Sequence, residues 1–157
     1  MSQQAQAEAL SQEEAEAKIK RWNQEEFVKI QKFCQSQGVQ IKGLKQNMCQ
    51  CLPPVIGVWY IQSATKGEDY WVISGDFPTD LANASVAKNA REALRYFSMS
   101  WQIKAANLED ALAEGKIQLN DKETQQKFAK DLVEKAEKLY VISHDEKLWA
   151  QVGLKLS

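Results

Sequence analysis

The stretch YWVISGDFPTD at residues 70–80 constrains the fold more than any other part of the chain. Its first residues alternate across two faces that are both largely aromatic, β-branched or small, which predicts a central strand covered on both sides. Gly75 breaks that strand, and Pro78 has no N–H with which to continue a ladder. Thr79 and Asp80 can accept hydrogen bonds from the backbone N–H groups that follow them. The stretch therefore predicts a strand, a tight turn and the approach to a helix.

The same turn supplies the polar groups of a candidate ligand pocket. In α/β-type proteins, ligands often bind where a strand ends and a helix begins. Asp76, Thr79 and Asp80 would be the polar anchors of this pocket. Arg91 and Arg95, four residues apart near the start of the next helix, would hold an anion beside them. The simpler interpretation is that the short polar residues only satisfy turn and cap hydrogen bonds.

Helical periodicity predicts three helices. The first begins at a capping-box pattern, Ser11 to Glu14, and ends near Gly38, so that residues 1–10 would be a disordered tail. The second and longest runs from about Val86 to Leu112, where apolar residues recur along one stripe. A third amphipathic helix is expected after a second cap signature at Asn120 to Glu123, with its apolar residues between Phe128 and Tyr140.

Three stretches have strand patterns. Residues 39–52 are only partly patterned, whereas residues 55–63 are a stronger strand that pairs with 70–75 in an antiparallel hairpin. The fold class predicted is α+β, with a small antiparallel sheet of about three strands packed against a long central helix and flanking helices. Residues 11–157 would form a single domain, because no repeat or linker divides them.

A second candidate site lies on the long helix. Tyr96, Met99 and Ile103 form an apolar group on roughly the opposite flank from the stripe that would face the core. A large exposed apolar patch is the usual mark of a protein-binding site. We therefore expect a protein partner or a homodimer at these three residues, since one surface can complement itself in a symmetric dimer.

The composition argues against several classes of partner. The formal net charge is −1, and Lys and Arg are spread along the chain, so neither nucleic acid nor an anionic membrane is an expected partner. The N-terminal sequence has no basic leader or apolar run, and no window approaches a membrane span. We therefore expect a cytoplasmic protein.

Metal and covalent chemistry have little support in the sequence. Cys34, Cys49, Cys51 and His144 could supply four zinc ligands, but their spacing is not that of a structural zinc site, and reduced, unreactive thiols are the simpler interpretation. No nucleotide-binding or nucleophile motif is present. The sequence thus predicts no catalytic residue, no metal and no cofactor, and it favours a non-enzymatic protein.

The run WVISGDFPTD, followed by SVAKNAREALRYFSMSWQIKAANL and preceded by the hairpin, resembles a family of small uncharacterised bacterial proteins known only as a domain of unknown function. The resemblance implies a small bacterial cytoplasmic domain without an assigned activity, and it transfers no functional residue. The first interpretation is therefore an interaction module or homodimer that uses the apolar group of the long helix. The alternative is a small-molecule or anion-binding protein or enzyme that uses the pocket at the 75–80 turn.

Overall fold

The computed structural model describes residues 3–65, 67–116 and 119–154, which belong to two compact units. The first unit, Met1–Ala84, contains one long helix and a five-stranded antiparallel sheet. The second unit, Ser85–Ser157, contains three α-helices in its described part. The predicted α+β class is confirmed, but the sheet has five strands instead of about three.

Helix α1 (Gln3–Ser36) joins the core of the first unit through its second half. Ile30 and Cys34 are fully buried in a cluster with residues of the sheet, and Phe27 packs against that cluster. By contrast, the described side chains of residues 3–21 are exposed. The contact between helix and sheet therefore depends on the last four turns of α1.

The start of α1 differs from the prediction. The helix begins at Gln3, where a disordered tail over residues 1–10 was expected, and Ser11 lies inside the helix instead of capping it. The pattern Ser11-x-x-Glu14 occurs at helix starts, but glutamate within a helix is also favourable, and Glu14 has Lys18 four residues on. The pattern therefore could not distinguish a first turn from an interior one.

All pairs of neighbouring strands in the sheet are antiparallel. Strand β4 pairs with β3 along its whole length, and on its other side β4 pairs with β5. On the other side of β3, the strands β1 and β2 lie one after the other along the same edge. The strands are β1 (Ile41–Leu44), β2 (Gln50–Leu52), β3 (Ile56–Ser63), β4 (Asp69–Gly75) and β5 (Asp80–Asn83).

The partly patterned stretch 39–52 is two strands instead of one. A 3₁₀ turn, Gln46–Met48, separates β1 from β2, and its backbone bonds run from Met48 N–H to Lys45 O and from Cys49 N–H to Gln46 O. Polar residues in the middle of the stretch gain nothing from burial, so the chain leaves the sheet there and returns.

The central strands are buried on both faces, as the alternation of their residues predicted. Trp59 and Val72 lie on the face towards α1, in one cluster with Ile30 and Cys34. Trp71, which points to the other face of β4, is also fully buried. A strand with two buried faces carries apolar residues at consecutive positions, which explains the continuous apolar sequence.

The turn after β4 leads into a strand, so the predicted approach to a helix at this point is wrong. Gly75 has φ +104°, and the next residue, Asp76, donates its N–H to Val55 O at 2.9 Å. Asp80 is the first residue of β5 and pairs with Ile73. Its Oδ1 accepts the N–H of the following residue at 2.8 Å, a local bond that a strand allows as readily as a helix start does.

In the second unit, α2 (Ala90–Ala113) and α3 (Leu119–Ser143) form an antiparallel pair, and α4 (Glu146–Ala150) follows. Ser98 Oγ donates to Ala136 O at 2.7 Å, which joins a side chain of α2 to the backbone of α3. Alanines are buried on both helices, at 90, 93, 105, 129 and 136. Small side chains at the contact allow the two helix backbones to approach closely.

The long helix begins later than predicted, at Ala90 instead of Val86. Asn89 is its N-cap, because the Asn89 Oδ1 accepts the N–H of Glu92 at 2.9 Å. The Glu92 carboxylate in turn accepts the N–H of Lys88 at 2.9 Å. This arrangement is a variant of the capping box, and it separates the α-helix from a short 3₁₀ turn, Ala84–Val86, that contains Val86. The packing of the sheet on this helix, and a single domain over residues 11–157, stay predictions.

We expect Gly75→Ala to lower the free energy of unfolding by roughly 3 kcal/mol, because a Cβ would both require a left-handed alanine and collide with the Val55 carbonyl oxygen. Gly38→Ala is the matched control, since Gly38 has φ +76° but open space around it, and it should cost only about 1 kcal/mol. Urea unfolding of both variants measures the difference. Equal losses of unfolding free energy in the two variants would contradict this expectation, because they would mean that the contact with the Val55 carbonyl adds no cost.

Candidate functional site

The outward side of α2 carries the three apolar residues that the sequence singled out. Tyr96, Met99 and Ile103 are 38%, 56% and 58% exposed. The buried residues of the same helix, including Phe97 and Trp101, point the other way. The Tyr96 ring packs edge-on against the Phe97 ring with centroids 5.9 Å apart, so its position is fixed although its outer part is exposed. We call these three exposed residues the apolar patch.

A cavity of about 370 Å³ adjoins the apolar patch at the start of α2. It lies between the segment that leads into the helix and the first turns of the helix itself. We call it the α2 groove. Its lining consists of Ser85, Val86, Ala87, Lys88, Glu92, Arg95, Tyr96 and Met99. The groove and the patch therefore share Tyr96 and Met99, which makes one continuous surface with a concave end.

The charged side chains of the α2 groove that remain available to a ligand are positive. Glu92 is buried, and its carboxylate is directed to the Lys88 backbone N–H in the capping box. Arg95 is half-buried and has no hydrogen bond or ion pair with any residue of the described ranges. An arginine with its donors unused beside a cavity is suited to a carboxylate or phosphate. The pattern Asn89-x-x-Glu92 could have located this capped helix start in the sequence, but it was missed.

Arg91 has a different role from Arg95, although the two are one helical turn apart. Its side chain is 1% exposed, and its Nε donates to Ser143 O at 2.6 Å. Its terminal nitrogens donate to Leu154 O at 3.1 Å and to Glu146 Oε1 at 2.8 Å. Arg91 thus holds the end of α3 and the segment after it against the start of α2. These partners lie far away in the sequence, so the predicted pairing of the two arginines in one anion site could not anticipate them.

The contact with Arg91 changes the pKa of its carboxylate partner, Glu146. The hydrogen bond from Arg91 and its positive charge lower the pKa of Glu146 below its ordinary value. Glu146 itself is largely exposed, so the buried guanidinium meets a carboxylate at the surface. An ion pair with only one buried partner orients the arginine more than it stabilises the fold.

The residues predicted as ligand anchors at the 75–80 turn belong to the first unit. Asp76 is exposed and Thr79 is half-buried. Asp80 is half-buried in β5 and accepts the Leu81 N–H, as described above. Lys29 donates to the Gly75 carbonyl at 3.4 Å, which brings a positive charge to the turn. These contacts support the simpler interpretation of the turn, and its use as a ligand pocket stays a prediction.

The three cysteines are free thiols in an environment that disfavours the thiolate. Burial raises the pKa of Cys34 and Cys49, and the Cys49 Sγ accepts the Tyr60 N–H at 3.3 Å. Burial, followed by the neighbouring Cys49, raises the pKa of Cys51 to about 12. Because the thiolate is both the nucleophile and the metal ligand, these thiols are weak in either role at neutral pH.

In the described ranges, no three side chains of His, Cys, Asp or Glu lie close enough together to bind one metal ion. His144, the only histidine, is explained by local contacts in the second unit. Its Nδ1 lies 2.9 Å from Tyr140 O, and its ring stacks on the Tyr140 ring with centroids 4.1 Å apart.

Fold and site together define an α+β protein that carries an exposed apolar and basic surface on one helix. The chain matches the family described as Domain of unknown function (DUF4826) over residues 3–149, and it belongs to that family. No protein of curated function and no solved structure matches it. Among the helices of the described ranges, none is both long and apolar enough to cross a membrane.

The two arginines give a direct test of their different roles. Arg91→Met should lower the free energy of unfolding by about 2 to 4 kcal/mol, because the carbonyls of Ser143 and Leu154 lose their donor. Arg95→Met should change it by less than about 0.5 kcal/mol, since Arg95 has no such bonds. Urea unfolding monitored by circular dichroism measures both. Similar losses in the two variants would contradict the assignment.

The thiols predict a loss of stability at alkaline pH. Their folded-state pKa values lie above the ordinary value of 9.0, so the stability that they contribute is complete below pH 9.0 and is lost as pH rises towards about 12 for Cys51. Between about pH 8 and about pH 10.5, the free energy of unfolding of the unmodified protein should therefore fall more than that of Cys51→Ala. Parallel curves for the two proteins would contradict this.

Proposed function

We propose that the protein is a non-enzymatic interaction module that binds another protein through the apolar patch of α2. The observation that carries the proposal is that Met99 and Ile103 are each more than half exposed, on the side of α2 opposite its buried face. Helix faces that carry several large apolar residues towards water are uncommon unless a partner covers them.

The surface has the composition of a binding site. Complete burial of a methionine or isoleucine side chain contributes roughly 1.5 to 3 kcal/mol, so the exposed parts of Met99 and Ile103 represent a useful fraction of a binding free energy. Methionine adapts its shape to a partner. The α2 groove provides a concave end, and Arg95 at its border adds a charged donor, as at the polar rim of many interfaces.

The family resemblance and the thiols support a place for this module in the bacterial cytoplasm. All three cysteines are free, and free thiols are typical of proteins kept in a reducing compartment. Neither nucleic acid nor a membrane is part of the proposal, because the net charge is close to zero and the basic residues are dispersed.

A second candidate function is the binding of a small anionic molecule in the α2 groove. The unused donors of Arg95, together with Lys88 and the cavity beside them, favour it. This site replaces the 75–80 turn as the location supported best, although Arg95 was already among the residues expected to hold an anion. A rise in melting temperature with inorganic phosphate that disappears in Arg95→Gln would favour this candidate over the first.

The substitution Met99→Lys tests the first candidate. It keeps the length of the side chain but places a charge in the apolar patch, so it should convert a dimer or complex into a monomer without a loss of helix content. Gln126→Lys is the matched control, because it adds the same charge at an exposed position of α3. Light scattering gives the solution mass of both variants. An unchanged mass for Met99→Lys beside a dimeric control would contradict a role of the patch in that dimer.

A further inference from the structure

The exposed face of α2 has a seven-residue period that extends beyond the apolar patch. Tyr96 and Ile103 occupy one position of the repeat, and Met99 and Ala106 occupy the other, so that their spacing alternates between three and four residues. This is the spacing of the two contact positions of a coiled coil. The face therefore has the form of a short helix-pairing seam of about two heptads.

One flank of this seam carries a second repeat with complementary charges. Arg95 and Gln102 lie directly before Tyr96 and Ile103 of the seam, and Glu109 continues the same seven-residue spacing. Gln102 and Glu109 are exposed, and Arg95 is half-buried. Read along the flank, the charges are positive, neutral and negative, and the neutral residue is at the centre.

The direction of pairing follows from this charge order. In an antiparallel pair of identical helices, a flank faces the same flank of the other copy in reversed order. With the two-fold axis next to Gln102, Arg95 faces Glu109 of the second copy, and the same pair occurs twice. The seam then places Ile103 against Met99 and Tyr96 against Ala106 of the second copy.

A parallel pair would be less favourable. Each flank residue would then face the opposite flank of the second copy, five residues further along. Arg95 would meet Ser100, and Glu109 would meet Glu114, which leaves the arginine without a charge partner and places two carboxylates together. Only the antiparallel arrangement matches both arginines with carboxylates.

We propose that the apolar patch binds a second copy of this chain, with α2 antiparallel to α2 and with Arg95 paired to Glu109 of the other copy on both sides of the two-fold axis. The inference rests on the proposed function, which assigns the patch to protein binding, and it specifies the partner. The acidic end of one α2, with Glu109 and Asp110, then covers the basic end of the other, where Lys88 and Arg95 border the α2 groove.

The test exchanges the charges. Arg95→Glu and Glu109→Arg, each alone, place like charges together at both pairs, so each should raise the dimer dissociation constant about tenfold or more relative to the unmodified protein. An equal mixture of the two variants restores both pairs in the heterodimer. The mixture should therefore associate more tightly than either variant alone, in sedimentation runs between about 1 and 300 μM.

The control replaces the second variant by Glu137→Arg, which makes the same charge change at an exposed position of α3. Its mixture with Arg95→Glu should show no such gain. An unmodified protein that is monomeric throughout the range, or a variant mixture no tighter than its components, would overturn the inference. If Met99→Lys still dissolves the dimer while the charge exchange has no effect, the patch binds a second copy in another register, so the proposed function survives and the antiparallel pairing does not.

Discussion

The close contact between α2 and α3 determines which side chains of the second unit remain available to a partner. Ser98 Oγ donates to the Ala136 carbonyl at 2.7 Å, and buried alanines on both helices let the two backbones pack closely. This contact fixes the rotation of α2 about its own axis, because a helix that buries Ser98 and Trp101 must direct Met99 and Ile103 outwards. The candidate surface is therefore a consequence of packing on the other side of the helix, and Arg91 stabilises the same contact at its end.

The parts of the molecule that the sequence predicted are those where burial repeats with a regular period. Strand β4 and the exposed position of Tyr96, Met99 and Ile103 both follow from such periods, since the pattern directly reports which face meets the core. The helix expected after the 75–80 turn was wrong because a short polar residue such as Asp80, whose Oδ1 accepts the Leu81 N–H, makes a local hydrogen bond that strands and helix starts share. The strand β5 has only four residues, too few for a period to appear.

The roles of single polar side chains were harder to predict, because they depend on partners distant in the sequence. Arg91 and Arg95 look equivalent at a spacing of four residues, yet Arg91 is held by carbonyls at Ser143 and Leu154 while Arg95 borders a cavity. Backbone carbonyls have no signature in a sequence. In contrast, the charge order Arg95, Gln102, Glu109 is visible in the sequence, but it gains meaning only when the structure shows that this flank is accessible.

The pKa shifts of Cys51, Tyr60 and Glu146 are all directed away from neutral pH. A general acid or base needs a pKa near the operating pH, and active sites shift their groups towards it. Here, burial raises the pKa of Cys51 to about 12, and burial with a hydrogen bond to Asp69 raises that of Tyr60 above its ordinary value, so both move away from neutrality. The pKa of Glu146 is lowered, which also moves it away from neutral pH.

A seam of about two heptads is short for a permanent dimer, because isolated pairs of such length bury little apolar surface. Association through Tyr96, Met99 and Ile103 should then be reversible and sensitive to concentration, which leaves the same surface open to exchange with another protein. Specificity would come from Arg95 and Glu109, because a competing helix must present an acid where the second copy presents Glu109. The apolar seam thus gives weak, reversible binding. The flank charges, which are complementary to those of an antiparallel second copy, give the selectivity.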